Sequence, residues 1–101
     1  MLRHEVRFVL QFGAMDEFRR TFEVLAARER AHGWAEPQCF RATFGRVNEL
    51  VIVHDYADRA AYDAERDAYH DTADADHTAA LAALAQLMVP GTATELLVEE
   101  L

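Results

Sequence analysis

His4, His54, Tyr56, Tyr69 and His77 are the side chains of this sequence best suited to moving protons near neutral pH. Imidazole titrates close to neutrality and is the commonest general acid or base, and a tyrosine hydroxyl can orient or donate to an oxygen. His54 and Tyr56 lie two residues apart, just beyond the apolar run Leu50-Val51-Ile52-Val53. In a strand that spacing puts both on one face. His4 alternates in step with Leu2, Val6, Phe8 and Leu10, so it shares their face. Tyr62 and Tyr69 are seven apart and share a helical face, with His70 and His77 following. Such a set can support proton transfer on a hydrophobic small molecule, with His54 as the base. Tyr56, His4, Tyr69 and His77 would orient or donate.

Several elements must position these groups. Strict alternation from about Arg3 to Phe12 predicts a half-buried first strand, with Phe12 on the His4 face and Gly13 ending it. Met15, Phe18, Phe22, Leu25 and Ala26 recur at helical spacing, which predicts a helix over 14–32. Asp16 and Glu17 complement its N-terminus, Arg28, Arg30 and His32 its C-terminus, and Gly33 stops it. Trp34 is expected to pack over that helix end. A second strand is expected over 37–44, a turn over 45–48 and a third strand over 49–56. Asp58 is a natural N-cap for a helix over 59–69, and the acidic stretch 70–76 interrupts it. A helix over 77–88 and a strand over 92–101, separated by Pro90-Gly91, complete the chain.

The order strand, helix, strand, strand, interrupted helix, strand is the α+β, ferredoxin-like split βαβ pattern. It predicts a single domain over residues 1–101, with a four-stranded antiparallel sheet and both helical segments on one face. The helix-side face is then His4, Val6, Phe8 and Leu10 with Phe40, Phe44, Leu50, Ile52, His54 and Tyr56. The open face carries Glu5, Arg7, Val9, Cys39, Arg41, Thr43, Val51, Val53 and Asp55. Valines among charges suit water only in part, so a second copy of the chain is the expected cover and a homodimer the expected state.

Composition removes other classes. A net charge of −8 argues against nucleic-acid binding, which needs clustered Lys and Arg. All ten basic residues are arginine, which excludes a Schiff-base lysine and a P-loop lysine. No dinucleotide fingerprint, C-x-x-C or H-E-x-x-H occurs, and the segment 70–77 matches no established metal-ligand spacing. No cofactor or metal is therefore expected. Asp74 and Asp76 are explained as capping and dipole residues of the following helix. No apolar run approaches the roughly 20 residues that span a bilayer, and a single cysteine suits a reducing cytoplasm.

The stretch Gly45, Asn48-Glu49, Leu50 to Val53 and Tyr56 resembles the signature of the NIPSNAP family of dimeric α/β-barrel proteins. The acidic-arginine helix that follows and the closing Glu95-Leu96-Leu97 are similar too. Such proteins often carry His and Trp at the positions of Ile52 and His54, so His54 stands where an aromatic would be. The likeness implies a dimeric α/β barrel with an apolar pocket in each subunit. The wider superfamily includes monooxygenases, isomerases, haem-degrading enzymes and polyketide cyclases, which implies cofactor-independent cyclisation, isomerisation or oxygenation if the chain is an enzyme. Two other readings stay open. One is a non-catalytic ligand-binding or protein-interaction module with structural histidines; the other is a haem-binding protein with His54 or His77 as axial ligand.

Overall fold

The computed structural model describes all 101 residues. Alternation beginning at Leu2 forms strand β1, Leu2–Val9, and the amphipathic stretch after Gly13 forms helix α1, Met15–Ala31. The short strand β2, Gln38–Arg41, follows, and then the apolar β3, Glu49–Tyr56. Helix α2, Arg59–Asp71, starts at Asp58, whose carboxylate accepts the Ala61 N–H. Asp74 caps helix α3, Ala75–Leu87, by accepting the His77 N–H. Strand β4, Thr94–Glu99, ends the fold. The sheet order is β2-β3-β1-β4 and every neighbouring pair is antiparallel. The ferredoxin-like arrangement read from the sequence is thus the one observed.

β1 and β3 are the central strands, and their register builds the helix-side face. Val6 lies opposite Ile52, Phe8 opposite Leu50, and His4 opposite His54. Helices α1 and α3 cover the Phe8 end of this face. There Phe8, Leu10, Phe18, Leu25, Leu50, Ile52, Ala80 and Leu84 form the buried core. On α3 the small Ala80 is buried in this core, so the helix can lie close to α1. The His4 end is covered differently. Helix α2 buries none of its own residues and stands over the end of β3. Solid packing at one end of the sheet therefore gives way to a gap at the other.

Several expectations are corrected. β1 ends at Val9, and Leu10 makes only an isolated bridge to Met88. Phe12 therefore leaves the sheet and is 95 % exposed, not on the His4 face. β2 is shorter than expected, and its side chains face opposite to the sequence reading. Cys39 lies across from Ile52 and packs against the core, while Phe40 lies across from Val51 on the open face. A slip of one residue reverses every side chain of a strand, and here the pairing with β3 overrode the Phe40-Ala42-Phe44 alternation. Burial pushes the Cys39 thiol up to about 11, so it is a packing group. Phe44 sits in the loop after β2 and is 97 % exposed. The chain turns back within that loop by placing Asn48 at φ 62°, in the left-handed region that asparagine tolerates. Helix α2 runs two residues past its expected end, and α3 begins two residues early, at Ala75. In β4, Glu95 and Leu97 pair across from Val6 and His4, whereas Leu96 and Val98 take the open face.

Phe8 is among the most deeply buried large side chains and touches the cluster that joins β1, β3, α1 and α3. Phe8→Ala is expected to lower unfolding free energy by about 3–5 kcal/mol, read as a shifted urea midpoint.

Candidate functional site

The gap beneath α2 is a cavity of about 330 Å³. Its floor is the helix-side face of β1 and β3, with His4, Val6, Ile52, His54 and Tyr56. Leu25 and Glu29 of α1 and Leu81 and Leu84 of α3 form one wall. Tyr62, Glu65, Arg66, Tyr69 and His70 line the other from α2, recurring at intervals of one helical turn. Trp34 closes the end nearest α1. Gly33, at φ 73°, turns the chain as α1 stops, and the Trp34 N–H then returns to the Glu29 carbonyl. The indole is thereby folded back beside the cavity, further than the expected cover of the helix end.

At the centre of the site is Glu29, a carboxylate only 6 % exposed. One of its oxygens meets His54 Nε2 at 2.7 Å and the other meets His77 Nε2 at 2.9 Å. Burial, the largest single influence, would raise the Glu29 pKa. The hydrogen bonds from His54 and His77 outweigh it, so the carboxyl titrates below its ordinary 4.5. An ionised carboxylate can only accept, so each Nε2 must carry the proton it shares. Neutral His54 is therefore fixed as the Nε2–H tautomer, with the lone pair on Nδ1. That atom makes no hydrogen bond within the protein, and no buried side-chain nitrogen or oxygen lacks a partner. Nδ1 is thus reachable beside the cavity that His54 lines. A carboxylate that orients an imidazole while its second nitrogen stays free is the layout of a general base.

The other expected site residues take different positions. Tyr56 lines the cavity, but its hydroxyl donates to Glu65 Oε2 at 2.6 Å. Burial and this carboxylate raise the Tyr56 pKa, so the phenol stays protonated and its proton is committed. Glu65 Oε1 also accepts the Ala35 N–H at 2.6 Å, which ties α2 to the segment after α1. His4 lines the floor, its Nε2 2.5 Å from Glu95 of β4, with its ring 6.1 Å from those of both His54 and Tyr62. Tyr69 lines the mouth, in edge contact with His77, and burial raises its pKa. His77 does not line the cavity; it lies buried behind Glu29, against the edge of Trp34. The Nε2 atoms of His54 and His77, the expected alternatives for an axial haem ligand, are both spent on Glu29.

A second carboxylate, Asp74, holds the wall in place. It accepts from the His77 backbone N–H, His32 Nε2 and Arg28, and these bonds lower its pKa. His32 in turn stacks on Trp34, with ring centroids 4.3 Å apart. The structure thus brings His4, His54, Tyr56 and Tyr69 around one cavity and puts His77 in its supporting layer. Glu29, Glu65 and Trp34 are members that the sequence reading missed. Glu29 had a signal: it continues the inward stripe of buried Phe18 and Leu25 and half-buried Phe22, where a carboxylate must find partners.

No protein-family model and no curated protein matches the sequence. Solved structures do match in fold. The chain is similar to an uncharacterized NIPSNAP domain protein from Burkholderia xenovorans, at 17 % identity and a TM-score of 0.76, covering 100 % of this chain and 95 % of the other. An antibiotic biosynthesis monooxygenase matches at 17 % identity and a TM-score of 0.70, covering 100 % and 99 % of the two chains. SnoaB from Streptomyces nogalater, a cofactor-independent oxygenase solved as a single-site mutant, matches at 21 % identity and a TM-score of 0.66, covering 98 % and 91 %. These proteins belong to the dimeric α/β-barrel superfamily, and the chain shares their fold.

The paired carboxylate has a consequence for stability. Because Glu29 titrates lower folded than unfolded, its contribution is complete above about pH 4.5 and is lost as pH falls through the folded value. Glu29→Gln is expected to cost about 1–3 kcal/mol at pH 7 and to flatten the acid limb of a Tm–pH profile. A profile that keeps its full acid limb in the variant would show that another carboxylate carries it.

Proposed function

We propose that the cavity binds a planar, hydrophobic small molecule and that His54 removes a proton from it without a cofactor. The observation that carries this reading is the His54–Glu29 pair, with Nε2 held and Nδ1 free beside an open cavity. At about 330 Å³ the space lies at the small end of the range for ligand pockets, which suits a ligand of few rings. Its apolar walls, including Val6, Leu25, Ile52 and Leu84, would take the ring faces. The chemistry we assign to the chain is cyclisation, isomerisation or oxygenation of an aromatic or polyketide-like substrate, each begun by loss of an acidic C–H proton. The fold it shares with a monooxygenase and a cofactor-independent oxygenase supports that class.

In this reading the proton passes from substrate carbon to His54 Nδ1, and the electron pair stays on the substrate as an enolate or phenolate-type anion. Glu29 stabilises the imidazolium so formed and keeps the ring from turning. Tyr62 and Tyr69, which commit no proton within the protein, are the hydroxyls placed to donate to the resulting oxyanion. Tyr56 and His4 hold the floor through Glu65 and Glu95. His77 acts through Glu29 as a positioning residue. The alternative, a binding module with structural histidines, predicts ligand affinity without proton transfer.

The chain in this proposal works as a homodimer in the reducing cytoplasm. No helix covers the open face of the sheet, which exposes Phe40, Leu96 and Val98 beside Val51. Burying that apolar strip against a second copy would remove it from water. Light scattering should give twice the chain mass, and a Phe40→Asp, Leu96→Asp double variant should give the chain mass alone. A wild-type monomer at micromolar concentration would refute the dimer.

Proton abstraction can be read directly. In D2O with the bicyclic ketone 2-tetralone, the protein should speed deuterium uptake at the acidic CH2, followed by NMR. His54→Gln should slow it by about 100-fold or more, and Glu29→Gln by a smaller factor. Equal rates in His54→Gln and wild type would remove His54 as the base.

A further inference from the structure

Resting on that reading of the cavity, we infer that its ligand carries a carboxylate, held at the mouth by Arg66 of α2. The charged groups around the cavity divide sharply. Glu29 is engaged by two histidines, and Glu65 by the Tyr56 hydroxyl and the Ala35 N–H. Arg66 is the one arginine on the cavity, and its only hydrogen bond runs from Nη1 to the neutral Tyr62 hydroxyl, at 2.9 Å. Of the ten arginines, Arg3, Arg7, Arg28, Arg30 and Arg59 pair with a carboxylate, whereas Arg19, Arg20, Arg41, Arg46 and Arg66 do not, and of these five only Arg66 lines the cavity. On α2 itself Asp63 is taken by Arg59. In a chain with eighteen Asp and Glu, the cavity arginine is left without an anionic partner.

Guanidinium is the side chain that best matches a carboxylate, because its planar fork can give two parallel N–H···O bonds. Tyr62 accepts from Arg66 through its oxygen and so holds the guanidinium at the mouth. The overall charge of −8 offers an anion no general attraction, so selectivity must come from this local cation. The placement also sets the ligand's polarity. Tyr62 on the α2 wall and then His4 and His54 on the floor follow one another in ring-to-ring steps of 6.1 Å. A fused aromatic acid with its carboxylate at Arg66 therefore extends along the apolar walls toward His54, where its acidic C–H would react.

The test is equilibrium binding, which is independent of turnover. Isothermal titration with 2-naphthoate and its neutral analogue 2-naphthamide compares the same ring system with and without the charge. The wild type should bind the carboxylate about tenfold tighter or more, and the preference should weaken with added salt. Arg66→Gln should abolish the preference by weakening the carboxylate far more than the amide; Arg66→Lys should restore part of it. Because Arg66 is exposed, both variants should keep the wild-type Tm. Equal wild-type affinity for the two probes, or a preference that survives in Arg66→Gln, would overturn the anchor and leave the cavity reading standing. Failure of both probes to bind would overturn the cavity reading together with the anchor.

Discussion

A carboxylate shut away from solvent must be paired, and Glu29 satisfies that demand by reaching two other elements at once: β3 through His54 and α3 through His77. Its own position is fixed by α1, whose apolar stripe goes inward and takes Glu29 with it. Three elements far apart in the chain therefore meet on two carboxylate oxygens. Replacing one partner would strand a charge in a poorly solvated place, so the three must be held in register. Apolar packing at the Phe8 end sets the distance between helices and sheet; Glu29 sets their alignment at the other.

This arrangement separates the groups that orient His54 from the atom it leaves free. Asp74 anchors the start of α3 to Arg28 and His32 at the end of α1, so His77 arrives at Glu29 from a fixed backbone. Glu29 then dictates the tautomer of His54. None of the supporting groups needs to touch a ligand to determine which nitrogen of His54 carries a lone pair. The site is thus organised from behind, with the free Nδ1 at the front and the charge balance in the interior.

Much of the fold was legible because β1, β3 and α1 have strong, unambiguous periods. The capping carboxylates Asp58 and Asp74 were readable for the same local reason. What failed was non-local. The facing of β2 depends on its pairing with β3, and four residues of strand are too few for their own alternation to decide it. Phe12 and Phe44 look like core residues by type, yet both fall beyond strand ends, where no sheet face exists to bury them. In the site, His54, Tyr56 and His4 were found through strand parity, which carries over directly into space. Glu29 was overlooked because a carboxylate among arginines on a helix looks like surface; only its phase with Leu25 and Phe22 marked it as interior.

Helix α2 contributes a whole wall of the cavity while burying none of its own residues. Residues that shape the site are thereby uncoupled from residues that hold the fold. Changes at 66 or 70 can reshape the cavity wall without disturbing the Phe8 core or the Glu29 junction. A scaffold divided this way is evolvable: its rigid half preserves the His54–Glu29 pair, and its loosely seated half is free to be rewritten.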